Sequence, residues 1–72
     1  MTTTATIRVS VNGESRSLAP ETAIAELLRA LGVSTPRVAV EYNLEILPKA
    51  LYDETRLKEG DMVEVVTFVG GG

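Results

Sequence analysis

Only one stretch of this chain carries the apolar period of a helix. Ile24, Leu27, Leu28 and Leu31 fall at i, i+3, i+4 and i+7, which sets one apolar stripe along one helical face. Thr22 is the N-cap candidate, its hydroxyl placed to accept from a free N–H of the first turn. Arg29 lies in the last turn, where a cation suits the helix dipole. Gly32 is the expected left-handed terminator, and Pro36 ends any continuation. One such helix can cover one face of a mixed sheet.

The rest of the pattern has period two. Ile7, Val9 and Val11 alternate with polar residues, as in a half-buried strand. Asn12-Gly13 follows, a strong hairpin signal, because both central residues of a type I′ turn need φ > 0. Glu14 to Leu18 should return as a second strand, on the strength of the hairpin alone. Arg37 to Tyr42 alternates again, Asn43 permits a turn, and Glu45 to Leu47 is a short strand stopped by Pro48. Lys49 to Leu57 is irregular, with one helical turn around Ala50 and Leu51. Glu59-Gly60-Asp61 turns into a last strand, Met62 to Phe68.

The element order is therefore two strands, a helix, and three strands. The helix stripe and the inward residues Ile7, Val9, Val38, Val40, Val63 and Val65 should form the core. The helix links the second strand to the third by a crossover, which is right-handed when the linked strands are parallel. The predicted fold is α+β: a β-grasp, ubiquitin-like domain with a mixed four- to five-stranded sheet packed on one helix. It spans 1–69, with residues 1–4 expected to fray and 70–72 forming a glycine tail.

Composition narrows the function. Seventy-two residues make one domain, and folding at this size buries only roughly 60% of the unfolded surface. The net charge is −3 and no basic stripe is present, which argues against nucleic-acid binding. There is no cysteine and no histidine, so a Cys/His zinc site and the common nucleophile–histidine pairs are excluded. The start MTTTATIRVS lacks the basic and apolar regions of a signal peptide, and no apolar run is long enough to span a bilayer. A reduced, cytoplasmic setting is expected.

The chain ends VVTFVGGG, a β-prone run delivered straight into three glycines. Ordering glycine loses more backbone entropy than ordering any other residue, so Gly70, Gly71 and Gly72 are expected to be mobile in the free protein. Glycine also has no Cβ. An extended run of three reaches about 10 Å and passes through a narrow channel, presenting its carboxylate inside a partner. A carboxylate is a poor electrophile until it is coupled to ATP. The chain has neither a GxxxxGK[ST] nor a GxGxxG loop, so it cannot perform that activation. It reads as a carried substrate that binds no cofactor.

Three stretches carry a family likeness: Val38-Ala39-Val40-Glu41-Tyr42-Asn43 with Glu45-Ile46-Leu47-Pro48, then Leu57-Lys58-Glu59-Gly60-Asp61-Met62-Val63-Glu64-Val65-Val66, then Phe68-Val69-Gly70-Gly71-Gly72. In these the sequence resembles the ThiS family of ubiquitin-like sulfur carriers of thiamin biosynthesis. The helix element Thr22 to Leu28 also fits, so nearly the whole chain after Thr4 is covered. The resemblance implies that a ThiF-like adenylating enzyme uses ATP to adenylate the Gly72 carboxylate. A cysteine desulfurase then supplies the sulfur that makes it a thiocarboxylate. The thiazole synthase ThiG takes that sulfur into the thiazole ring. The rival readings are a molybdopterin synthase small subunit, a ubiquitin-like modifier that joins a target lysine, and an interaction module with an inert tail. The first is disfavoured because its members carry a Pro-Pro-Val-type segment where this chain has Thr67-Phe68-Val69.

In the last strand Val63, Val65 and Thr67 share one parity and Glu64, Val66 and Phe68 the other. If the helix covers the first face, Val66 and Phe68 form an apolar pair beside the tail that suits partner docking. The competing reading makes Phe68 peripheral core. Asp53, Glu54, Glu59 and Asp61 match no EF-hand spacing and read as solvated surface. Glu41 and Glu45 flank a turn, but acid–base work by paired carboxylates needs a concave pocket, which a domain this small seldom has. Lys49 and Lys58 read as surface charges, and Tyr42 and Tyr52 as packing against the sheet edge.

Overall fold

Asn12 and Gly13 have φ of 52° and 83°, so the hairpin takes the mirror-image turn that their residue types favour. In this computed structural model, which describes residues 5–33 and 35–68, the turn joins β1 (Ile7–Val11) to β2 (Glu14–Leu18). The two pair antiparallel over five positions, from Ile7–Leu18 to Val11–Glu14. The helix α1 (Ile24–Leu31) follows, then β3 (Val38–Tyr42), β4 (Glu45–Leu47) and β5 (Met62–Thr67). The fraying expected of residues 1–4 and the mobility expected of Gly70, Gly71 and Gly72 fall outside the described residues.

Among the described residues the sheet has five strands, in the order β2-β1-β5-β3-β4. β5 lies in the middle, parallel to β1 and antiparallel to β3. β2 and β3, the strands linked by the helix, are therefore separated by two others. This is the β-grasp arrangement, and it puts the last strand of the chain at the centre of the sheet.

The core forms between α1 and one face of the sheet. Ile24, Leu27 and Leu28 meet Val9, Val38, Val40 and Val63, all at 2% exposure or less. Ile7 and Val65, expected inside, are half-buried at its margin. Val11, Tyr52 and Leu57 complete the core instead. Tyr52 and Leu57 come from the irregular segment, where no period marks an inward face. That segment reaches Tyr52 through a short 3-10 turn, Lys49–Leu51. Tyr52 is thus core rather than sheet-edge packing. Burial raises its hydroxyl pKa, opposed by a hydrogen bond with the Val40 backbone.

The helix ends differ from the expected caps in one respect. The N-cap is Ala23, not Thr22. The Thr22 hydroxyl donates to the Ala19 carbonyl at 2.7 Å, closing the turn before the helix. The first-turn N–H groups find other acceptors. Ile24 donates to the Thr55 carbonyl and Ala25 to the Tyr52 carbonyl, both at 3.0 Å, and Glu26 Oε1 accepts from the Ala23 N–H at 2.9 Å. Docking of the irregular segment thus satisfies donors that a side-chain cap would otherwise serve. At the other end Gly32 adopts φ 76°, and Val33 N–H donates to the Leu28 carbonyl, the Schellman pattern. None of the helices is long and apolar enough to cross a membrane, among the described residues.

Candidate functional site

β5 is the last element before residues 69–72, so the hold on β5 fixes where the described chain ends. On the β3 side pairing runs to the last described residue, with Phe68 N–H donating to the Arg37 carbonyl at 2.8 Å. On the β1 side the ladder is only two residue pairs long, Ser10–Met62 and Val11–Val63. Asn12 then extends it with its side chain. Its Oδ1 accepts from Val65 N–H at 2.7 Å and its Nδ2 donates to the Val65 carbonyl at 3.3 Å. The carboxamide acts as one more peptide unit just as the main chain turns away. Sequence reasoning assigned Asn12 to turn geometry alone. Its second role was not legible, because it depends on a strand more than fifty residues later.

A second anchor ties the start of β5 to the β3–β4 turn. Tyr42 donates its hydroxyl hydrogen to Asp61 Oδ2 at 2.6 Å. Asn43 Nδ2 donates to Asp61 Oδ1 at 3.2 Å, and Lys58 N–H to Asp61 Oδ2 at 2.8 Å. Asn43 Oδ1 accepts from Met62 N–H at 2.8 Å. Burial, helped by the Asp61 hydrogen bond and charge, pushes the Tyr42 pKa up to about 12. Burial alone would raise the Asp61 carboxyl. The donors Tyr42, Lys58 N–H and Asn43, with the Lys58 cation, outweigh it and hold the carboxyl below its ordinary value.

The parity read from the sequence holds. Val63 is buried and Val65 half-buried, while Val66 and Phe68 are 54% and 55% exposed. Phe68 is therefore not peripheral core. The irregular segment that might have covered it packs against the helix N-terminus instead. Among the described residues four other large apolar side chains are also exposed: Leu44 at 77%, Ile46 at 70%, Met62 at 45% and Leu51 at 39%. Cross-strand register places Ile46 opposite Glu41, Glu41 opposite Glu64, and Ala39 opposite Val66, all on the helix-free face. Leu44 sits in the β3–β4 turn with φ 75°, after Asn43 at 51°. A left-handed backbone at a residue with a Cβ costs roughly 1–2 kcal/mol. A groove of about 140 Å³ opens here, lined by Glu41, Leu44, Met62 and Glu64 among others.

The remaining charged residues separate. Glu41 and Glu45 have opposite parity, since Glu45 pairs with Tyr42. Glu59 Oε1 accepts from Arg8 N–H at 2.9 Å, and Asp61 is bound as described. No group of three or more metal-ligating side chains exists among the described residues. Lys49 Nζ donates to the Pro36 carbonyl at 3.3 Å, and Lys58 is exposed. What the described residues supply is a hydrogen-bonded β5 and an apolar, acidic face on the helix-free side of the sheet. Gly70, Gly71 and Gly72, expected to be the reacting tail, lie outside them.

Comparison with known proteins places this geometry. The model of the ThiS family matches residues 9–72. A thiazole synthase of Paramagnetospirillum magneticum is 42% identical over 92% of this chain, which spans 20% of that protein's length. The sulfur carrier protein ThiS of Thermus thermophilus is 39% identical over 89% of this chain and 98% of its own. The crystal structure of the thiamine biosynthesis protein ThiS from Geobacter metallireducens superimposes with a TM-score of 0.78 at 39% identity. It covers 92% of this chain and 100% of that one.

Proposed function

The chain belongs to the ThiS family, and from that membership we propose that it carries the sulfur used to form a thiazole ring. The observation that carries this reading is the extent of the family match, which runs through the glycine tail to residue 72. The Gly72 carboxylate attacks the α-phosphate of ATP on an adenylating enzyme, releasing pyrophosphate and leaving an acyl-adenylate. A persulfide formed on a desulfurase from cysteine displaces AMP to give an acyl disulfide. A thiol then attacks the other sulfur of that disulfide, leaving the thiocarboxylate and a new disulfide. A thiazole synthase then takes the sulfur, and the carboxylate returns.

The chain is no catalyst in this scheme and binds no cofactor of its own. ATP is consumed by the activating enzyme. The acceptor is assigned to thiazole rather than molybdopterin chemistry because of the likeness to a thiazole synthase and to ThiS carriers. The tail, Gly70 to Gly72, threads into each enzyme, while Val66 and Phe68 rest on its surface. The site of action is the cytoplasm.

The test is growth. In cells lacking their own carrier and deprived of thiamin, the full chain should restore growth and the chain lacking Gly72 should not. Growth with the shortened chain overturns the reading.

A further inference from the structure

Asn12-Gly13 is the one place where this sequence sets an asparagine before a glycine. Glycine has no Cβ to shield its main-chain nitrogen, so that nitrogen is open to attack the preceding carboxamide. The other asparagine, Asn43, precedes Leu44, whose side chain crowds the same approach. Asn12 and Gly13 are both exposed, and no atom lies within 4 Å of where a Cβ on Gly13 would sit. Water and hydroxide therefore reach the attacking nitrogen. Asparagine is a thermolabile residue, and residue order and exposure together make Asn12 the weak point of this chain.

The fold holds the reaction back. The Asn12 carboxamide is engaged at both ends: Oδ1 accepts from Val65 N–H at 2.7 Å, and Nδ2 donates to the Val65 carbonyl at 3.3 Å. Both bonds must break before Cγ can swing from β5 toward the Gly13 nitrogen. The clamp in turn depends on Nδ2, the atom that deamidation removes. We propose that Asn12 is a modification site gated by β5: its deamidation is suppressed while the carboxamide holds Val65, and once it has occurred the two-bond clamp does not re-form.

In the first step the Gly13 nitrogen gives its proton to hydroxide and bonds to Asn12 Cγ. The Cγ–Nδ2 bond breaks, Nδ2 takes a proton from water and leaves as ammonia, and a five-membered succinimide is closed. Water then opens the ring. Opening at Cγ leaves an aspartate side chain; opening at the α-carbonyl leaves an isoaspartate, whose main chain runs through the β-carbon. One water is consumed and one ammonia released, with no change of oxidation state. The aspartate sets a carboxylate oxygen against the Val65 carbonyl where a donor stood. The isoaspartate adds a main-chain atom to a turn whose φ values of 52° and 83° fix the β1–β2 register. Either product loosens the β1 side of β5 beyond Val63, where main-chain pairing with β1 ends.

The experiment follows Asn12 and Asn43 by peptide mapping in mildly alkaline buffer, in three full-length samples. These are the folded chain, the chain unfolded in urea, and a synthetic chain with an ester in place of the Glu64–Val65 amide. The ester removes the Val65 N–H and leaves Asn12-Gly13 and every side chain intact. Folded wild type should deamidate at Asn12 at least about tenfold more slowly than the unfolded chain, as the loss of two hydrogen bonds requires. The folded ester chain should recover most of the unfolded rate. In the unfolded chain Asn12 should react well before Asn43. The wild-type chain deamidated at Asn12, once isolated, should exchange its Val65 amide faster and melt lower than the intact chain. Equal rates in folded and unfolded wild type overturn the proposal, as does an Asn43 that reacts first or a folded ester chain that reacts no faster than wild type. If the ester chain does not fold, the isolated deamidated chain decides: faster Val65 exchange supports the gate and unchanged exchange overturns it.

Discussion

Asp61 shows how much one carboxylate can organise. It accepts from Tyr42, Asn43 and the Lys58 N–H, and so joins β3, the β3–β4 turn and the start of β5. The Tyr42 pKa is raised to about 12 in the folded chain, so the neutral phenol is the stabilising form. Its contribution is complete below pH 10 and is lost as the pH climbs from 10 to 12. Asp61 has the opposite sense: its stabilisation is present above its ordinary value and is lost as the pH falls below it. Tyr42→Phe should cost about 1–2 kcal/mol at neutral pH and flatten the stability curve between pH 10 and 12, read by urea unfolding. Asn12→Gly keeps the positive φ but removes the carboxamide from Val65. It should also cost about 1–2 kcal/mol and speed hydrogen exchange at the Val65 amide. Neither network was legible in the sequence. Hydrogen bonds between side chains and distant backbone leave no periodic trace, whereas the turn role of Asn12 was visible because it is local.

At the scale of elements, the chain is legible wherever a period exists. The helix stripe, the Asn12-Gly13 hairpin, the short strand before Pro48 and the central alternation of β5 all stand where their patterns put them. The Lys49–Leu57 stretch has no period, and it supplied what reading missed: Tyr52 and Leu57 in the core and the acceptors at the helix start. Thr22 looked like a cap because its residue type is right. The docked carbonyls of Tyr52 and Thr55 made a side-chain cap unnecessary. Leu57 is 1% exposed, so Leu57→Ala should lose about 2–5 kcal/mol by denaturant unfolding and loosen the helix N-terminus with it. A loss below about 1 kcal/mol would mean that this segment is not an integral part of the core.

Across the whole molecule the apolar residues divide by face. One side of the sheet and the helix hold the fold together. The other side exposes Leu44, Ile46, Met62, Val66 and Phe68 around two carboxylates, beside the strand that leads to the tail. Phe68→Ala should therefore shift stability by no more than about 0.5 kcal/mol while slowing adenylation by the activating enzyme. A large fall in Tm with unchanged adenylation would instead make Phe68 structural. The sequence disclosed the Val66–Phe68 pair by parity. It did not disclose Leu44 and Ile46, which come to that face through the register of a three-residue strand. In the proposed function the reactive atoms belong to Gly72 and the catalysis to other proteins. Its most direct test is the intact mass of the chain after incubation with ATP, the cognate adenylating enzyme and a sulfur source. The expected result is a gain equal to one oxygen exchanged for sulfur, mapped to Gly72 and absent when that carboxylate is capped as an amide. The same gain on the capped chain, or sulfur mapped to any other residue, would contradict it.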